Sequence, residues 1–439
     1  MWKSNKLCLI FIWKFLNLVK VFILSVMQMI FRTKYFKLID QVVNLKKSVF
    51  FTWSRQVGKT TLMKSYLENK KINYFYANFD EIFWFWIGDF KTVSDFVDYL
   101  KMFYQEDFLK YDYIVFDEII RVKNFNIILK ALIDKYSEKI FFCSASGEYE
   151  IVENILDWLA GRIVKVNVYP LDFNEFLQFK NIEFIKCDSS SHFDLIKKYL
   201  QEYLRFGGYP EVVLNENENA KKIILKSIVD SIFQKDLLKL IKEEKVFQLI
   251  KFVKLLRNNI WSLFSYEGFA NKLGIKLKDL KLFISALEKI QLVFLLNPFF
   301  TDKKAEISSK QKIYINDFWV YNFLVNNFDV ELDGKFVEQF VFNQLKFNLW
   351  FFNELYFYRK LNESEIDFIY KNSNWLIPIE VKSDNSDNIP KIFKSFCEKY
   401  EKDIKFFVKT SQCLQKERQI GDCKVWIVPY VEILNKVLD

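Results

Sequence analysis

Trp53-Ser54-Arg55-Gln56-Val57-Gly58-Lys59-Thr60-Thr61 is the stretch whose reading decides the fold. It fits the phosphate-loop pattern G-x-x-x-x-G-K-[ST] at every defined position except the first, where Trp53 replaces glycine. Ahead of it, Lys47 to Trp53 is a short apolar run that predicts a strand; behind it, Leu62 to Lys70 predicts a helix. Strand, loop and helix in that order are the context the pattern requires. Backbone N–H groups of such a loop and of the following helix N-terminus hold phosphate oxygens. Lys59 is then expected to reach the β and γ phosphates of ATP and Thr60 to ligate Mg2+. Gln56, Val57, Gly58 and Thr61 complete the expected nucleotide contacts.

Further along, Tyr113-Ile114-Val115-Phe116 is a continuous apolar strand that ends in Asp117-Glu118. Ligands of open parallel sheets sit beyond the carboxyl ends of the strands, so these acids face the same place as the loop. Asp117 is expected to hold magnesium, directly or through water. Glu118, one residue on and on the other side of the strand, is expected to orient and deprotonate the attacking water. Tyr74 to Ala77 and Ile140 to Cys143 are further strands, with helices over Val93–Phe108 and Phe125–Tyr136 between them. Buried strands alternating with helices predict a parallel sheet covered on both faces, an α/β P-loop domain.

From Leu195 to about Asn258 the pattern is helical, and Glu267 to Leu296 reads as helix, Gly274 turn, helix and strand, an order that suits a winged helix. Lys272, Lys276, Lys278 and Lys281 lie on and near its second helix, where they would meet a phosphate backbone or simply line a solvated face. Beyond Lys312, Gly334–Phe347 is helical, and Leu355–Tyr358, Ile366–Tyr370 and Trp375–Val381 are strand-like. Here Glu365-Ile366-Asp367 and Ile379-Glu380-Val381-Lys382 resemble a metal-dependent nuclease core. In a strand Glu380 and Lys382 share a face. Asp367 and Glu380 would hold magnesium there and Lys382 would steady the attacking water, unless all three are ordinary charges at solvated strand ends.

Composition narrows the classes. With 51% hydrophobic and 27% charged residues in 439, the chain is neither disordered nor of low complexity, and its length suits two or three domains. A single histidine, His192, excludes zinc sites built on two or more histidines, and it stands in a polar stretch read as a surface loop. The 6 cysteines contain no C-x-x-C pair, so neither a zinc ribbon nor a disulfide framework is signalled and a reducing cytoplasm fits. A net charge of +9 permits DNA without demanding it. Lys14 and Lys20 interrupt the apolar N-terminus, so no membrane span is expected, and Met27 or Met29 is an alternative start.

The whole chain from Arg32 to about Val428 resembles prokaryotic AAA-type ATPases whose C-terminal half is a domain of unknown function with a nuclease-like core. The resemblance rests on Arg55 to Leu62, Phe116-Asp117-Glu118-Ile119, Leu159-Ala160-Gly161-Arg162, Tyr169 to Phe176 and Gly207-Gly208-Tyr209-Pro210-Glu211-Val212. It implies that Arg162 senses the γ-phosphate or acts in trans on a second copy. It also implies that Ser144 or Ser146 is the polar sensor, and that Glu338 is the upstream acid of the nuclease-like site. The family usually has glycine at position 53, glutamine where Ile120 stands and Gly-Ser where this chain has Ser144-Ala145; these differences surround the nucleotide and bear on turnover more than on binding.

The expected architecture is therefore an N-terminal extension over 1–30, an AAA-type P-loop domain with a helical lid over 31–235, a winged-helix-like segment over 236–311 and a restriction-endonuclease-like domain over 312–439. The expected function is that of a cytoplasmic Mg-ATP-dependent ATPase coupled to a nuclease-like, DNA-binding half, with a second copy or a protein as a further partner. Two alternatives are a nonhydrolysing nucleotide-binding interaction module and a metal-dependent DNA nuclease.

Overall fold

The computed structural model describes residues 31–52, 55–82, 90, 92–147, 158–183, 190–256, 260–299, 310–360 and 365–438. The extension over 1–30, with its alternative starts, and Trp53 lie outside the described residues. Among the described residues no helix is long and apolar enough to cross a membrane. The chain divides into two compact units, one holding 31–51, 59–144 and 158–166, the other 52–58, 145–147 and 167–438.

The first unit is a five-stranded sheet in the order β2-β3-β4-β1-β5, with β1 Ser48–Thr52, β2 Tyr74–Asn78, β3 Tyr113–Asp117, β4 Ile140–Ser144 and β5 Ile163–Asn167. β1 pairs with β4, β4 with β3 and β3 with β2, all parallel. Every residue of β1 and β4 is buried, as helices on both faces require. Helices Lys59–Asn69, Val93–Tyr104 and Phe125–Lys135 connect the strands. Val93–Tyr104 starts on a reciprocal capping box between Thr92 and Asp95 and stops at Gln105, whose left-handed backbone ends it short of the expected Phe108. Phe116 packs against Phe79, Phe96, Phe108 and Phe141 with ring centroids 5.6, 5.8, 6.1 and 5.9 Å away, which fixes the strand tip that carries Asp117.

The second unit is built on a six-stranded mixed sheet in the order β12-β13-β11-β10-β9-β8. Its strands are β8 Glu354–Arg359, β9 Glu365–Lys371, β10 Leu376–Glu380, β11 Phe407–Ser411, β12 Lys416–Ile420 and β13 Cys423–Pro429. Its core also takes in helices Phe173–Phe179, Ser190–Phe206 and Gly334–Phe347, so that Phe173, Phe176, Tyr203, Phe340, Ile379 and Tyr430 belong to one apolar cluster. Ser190-Ser191-His192 opens the second of these helices and is not a loop, since the polar stretch stands where the helix begins. Helices Glu243–Leu256, Tyr266–Leu273 and Leu277–Lys289 precede the antiparallel pair β6 Val293–Leu296 and β7 Lys312–Ile315, with Gly274 left-handed at the expected turn.

Two of the sequence motifs serve this packing. Asp172 and Glu175 form a capping box, and Asn348 donates to Asp172 from the far end of helix Gly334–Phe347. The Gly208 N–H donates to Asp317 Oδ2 at 2.8 Å, and its carbonyl accepts from the Leu171 N–H at 2.7 Å. Asp317 is only 1% exposed, and burial pushes its carboxyl up to about 7 against the opposing N–H groups of Gly208, Phe318 and Trp319. An unfolded aspartate titrates near pH 4, so between about pH 4 and about pH 7 the folded chain binds the extra proton and stability falls as the pH rises. Asp317→Asn is expected to flatten that slope in urea midpoints measured across the window; an unchanged slope would contradict the assignment.

Candidate functional site

The phosphate loop turns on two left-handed residues, Gln56 at φ 60° and Gly58 at φ 89°. Val57 between them is fully buried, and Lys59 begins the following helix with 5% of its surface exposed. Arg55, inside the pattern, forks onto Asp236 with two bonds of 2.9 Å. Asp236 lies in the π-helical turn Phe233–Leu237, and nothing in the sequence singled out that pair.

Asp117 ends β3, 3% exposed, with three hydroxyls on its carboxylate. Thr60 Oγ1 donates to Oδ2 at 2.6 Å, Tyr76 Oη donates to the same oxygen at 2.9 Å, and Ser144 Oγ donates to Oδ1. The strand ends at Asp117, so Glu118 is not placed by strand alternation as expected. It stands in the left-handed region at φ 54°, and its N–H donates to Ser144 Oγ at 3.0 Å. A non-glycine residue held there beside a buried carboxylate costs about 1–3 kcal/mol and marks a constrained turn.

Tyr76 is the residue the sequence reading missed. β2 pairs with β3 so that Asn78 meets Asp117, and Tyr76, two residues earlier, points to the same face. Burial, then Asp117, pushes its phenol well above the ordinary value, so it stays a proton donor to the carboxylate. Lys64 Nζ sits 3.6 Å from the centroid of its ring.

A threonine hydroxyl and a carboxylate 2.6 Å apart, with the Ser144 hydroxyl on the second oxygen, form a hard oxygen donor set that fits a partly hydrated Mg2+. Arg162 does not join them. It precedes β5, its carbonyl accepting from the Ser48 N–H at the start of β1, and its guanidinium forks onto Asp134 at the surface. That places it at the amino ends of the parallel strands, whereas Asp117 stands at a carboxyl end, because β5 runs alongside β1 in the same direction.

In the second unit the sheet brings Asp367 and Glu380 together: β9 and β10 are antiparallel, and the pair Phe368–Ile379 leads to both. The Val381 N–H donates to Asp367 Oδ2 at 2.8 Å and Lys382 Nζ to Glu380 Oε1 at 2.7 Å. Glu380 is 7% exposed, and its Oε2 is buried without a hydrogen-bond partner. Thr410 holds the Lys382 backbone from both sides, accepting from its N–H and donating to its carbonyl. Glu338 arrives from helix Gly334–Phe347, but its Oε1 already accepts from Tyr314 Oη at 2.6 Å and Lys312 Nζ at 3.2 Å. Lys312, 2% exposed, also pairs with Glu365 at 2.8 Å.

Burial raises the carboxyls of both Asp367 and Glu380, and the neighbouring Glu380 and Glu338 charges push Asp367 further. For Lys382 burial works downward, and the bond to Glu380 together with the charges of Glu380, Asp367 and Asp384 outweighs it, leaving the ammonium above its ordinary value. Among the described residues no three His, Cys, Asp or Glu side chains are grouped to hold a metal ion. Asp367 and the orphan oxygen of Glu380 fit a cation as a two-carboxylate set, while the expected third acid, Glu338, is committed to Lys312 and Tyr314.

Residues 46–177 match the model of an AAA domain. With its parallel five-stranded sheet that segment is an α/β P-loop domain similar to AAA domains. Residues 197–331 and 333–433 match two domains of unknown function, DUF8612 and DUF4143. The chain is 33% identical over 299 residues to the uncharacterized protein MJ1544 of Methanocaldococcus jannaschii, an alignment covering 66% of this chain and 65% of that one. The chain thus spans less than two thirds of that relative's length. An uncharacterized protein of Haemophilus influenzae is 24% identical over 374 residues, covering 82% and 88% of the two chains. Among solved structures, the Walker-type ATPase PABY2304 of Pyrococcus abyssi aligns with TM-score 0.44 and 13% identity over 67% of this chain and 96% of its own. The Thermotoga maritima RuvB Holliday junction branch migration motor aligns with TM-score 0.30 and 13% identity over 63% and 93%.

Proposed function

We propose that the chain binds Mg-ATP at the phosphate loop, hydrolyses it, and uses the nucleotide state to alter how its C-terminal half engages a partner. The observation that carries this reading is the Asp117 carboxylate at a strand tip, accepting from the Thr60 hydroxyl at 2.6 Å. In this reading the amides of Gln56, Val57, Gly58 and Thr61 cradle the phosphates and the Lys59 ammonium lies against the β and γ oxygens. Thr60 and Asp117 hold the magnesium, which when bound neutralises charge on the phosphate oxygens. Thr60, Tyr76 and Ser144 keep the Asp117 side chain oriented until then. Glu118 takes the proton of the attacking water, and Ser144, which bonds the Glu118 N–H, is favoured over Ser146 as the polar sensor. Arg162, half-buried at the amino ends of the strands, would serve only a nucleotide held by a second copy, after release from Asp134. The test is phosphate release from ATP by the wild type and by Lys59→Ala; rates equal at background would leave the nonhydrolysing module standing.

The helix pair Tyr266–Leu273 and Leu277–Lys289 with the β6–β7 pair supports a winged-helix segment, and Lys272, Lys276, Lys278 and Lys281 are exposed on it, a charge pattern suited to DNA phosphates. A nuclease reading of the C-terminal sheet has one specific support, the buried unpartnered Oε2 of Glu380 beside Asp367. Magnesium-dependent nicking of plasmid DNA, lost in Asp367→Ala, is the expected result of that reading. Absence of cleavage of duplex, single-stranded and branched DNA would remove it.

A further inference from the structure

Cys397 and Cys423 are 26 residues apart in sequence and carry no spacing signal, yet their sulfurs lie 2.8 Å apart. Cys397 is on helix Lys391–Tyr400 and Cys423 is the first residue of β13, just past the hairpin turn that joins β12 to β13. Both are buried, 5% and 7% exposed, in an apolar cluster with Tyr358, Phe393, Phe396 and Val425. Bonded sulfurs stand about 2.05 Å apart, so less than about 1 Å of approach separates this thiol pair from a disulfide. The packing of the helix on the sheet has already brought the two groups together.

We propose that Cys397 and Cys423 are a modification site, closing to an intramolecular disulfide by exchange with a small-molecule disulfide. One thiolate attacks a sulfur of the reagent and expels one small thiol, giving a mixed disulfide. The second cysteine thiolate attacks the protein sulfur of that bond and expels the other small thiol. The protein loses two electrons and two protons, and the reagent is reduced to two thiols. Burial, then the bond to Cys423, pushes the Cys397 thiol up to about 12, so exchange is slow at neutral pH and quickens in alkali. The product staples the helix to the β12–β13 hairpin.

The test uses the full chain, incubated with oxidised glutathione at mildly alkaline pH, quenched with N-ethylmaleimide and mapped without reduction. The expected product is a monomer lighter by two hydrogens, with the Cys397 and Cys423 peptides cross-linked, restored by dithiothreitol and absent in Cys423→Ser. Wild-type protein that yields only alkylated or glutathionylated Cys397 and Cys423 overturns the proposal. So does a cross-link of either residue to Cys143 or Cys413 instead.

Discussion

Lys59→Ala is expected to lower ATP-dependent phosphate release by about 100-fold or more while leaving the fold intact. Removing one preorganised charged donor from a transferring phosphoryl group costs on the order of 10²–10³ in rate. The side chain begins helix Lys59–Asn69 and is 5% exposed, so water does not replace its charge cheaply. Alanine is the best helix former, so the helix itself gains nothing and loses nothing large at that position. Phosphate release and nucleotide affinity, measured alongside circular dichroism, separate the effects. Unchanged nucleotide affinity in the variant would remove the phosphate loop from the site altogether.

Gly208→Ala is expected to be the most damaging of the small substitutions, destabilising the chain by roughly 3 kcal/mol or preventing folding. A Cβ at Gly208 would lie 2.2 Å from the Leu171 carbonyl oxygen and 3.0 Å from its nitrogen, both backbone atoms that cannot swing aside. Those atoms are themselves tied, the nitrogen to the Gly208 carbonyl at 2.7 Å and the oxygen to Tyr203 Oη at 2.9 Å. Gly334→Ala is the matched control: nothing lies within 4 Å of its Cβ position and it opens a helix, so its urea midpoint should stay level or rise. If the two variants unfold at the same midpoint, the Gly207-Gly208 motif has some role other than this close packing.

The two experiments probe different kinds of legibility. The phosphate loop could be read because its pattern is local: the turn needs Gly58 at φ 89°, and Lys59 and Thr60 follow it directly in the chain. Asp117 could be read because an apolar strand that ends in an acid has few other uses. Tyr76 could not, because its aim depends on the register that sets Asn78 against Asp117, a pairing of strands 39 residues apart along the chain. The pairing of Arg162 with Asp134 at the amino ends of the strands could not be read either, because the motif does not say how β5 enters the sheet. At the C-terminal site Glu380 and Lys382 were expected to pair by strand alternation, but β10 ends at Glu380 and their bond forms just past the strand, whereas Lys312 and Tyr314, which claim Glu338, come from the β6–β7 pair.

By itself the sequence determined the parallel α/β sheet, the loop that can hold phosphate and the acids at the strand tips, since each follows from periodicity and backbone need over a few neighbouring residues. Only the tertiary structure decided that the Gly207-Gly208 motif is a packing clasp, that Lys312 is enclosed among Glu338 and Glu365, and that Cys397 meets Cys423. Those outcomes depend on which distant segments share a buried face, where removing charge and apolar surface from water selects partners that no local pattern encodes.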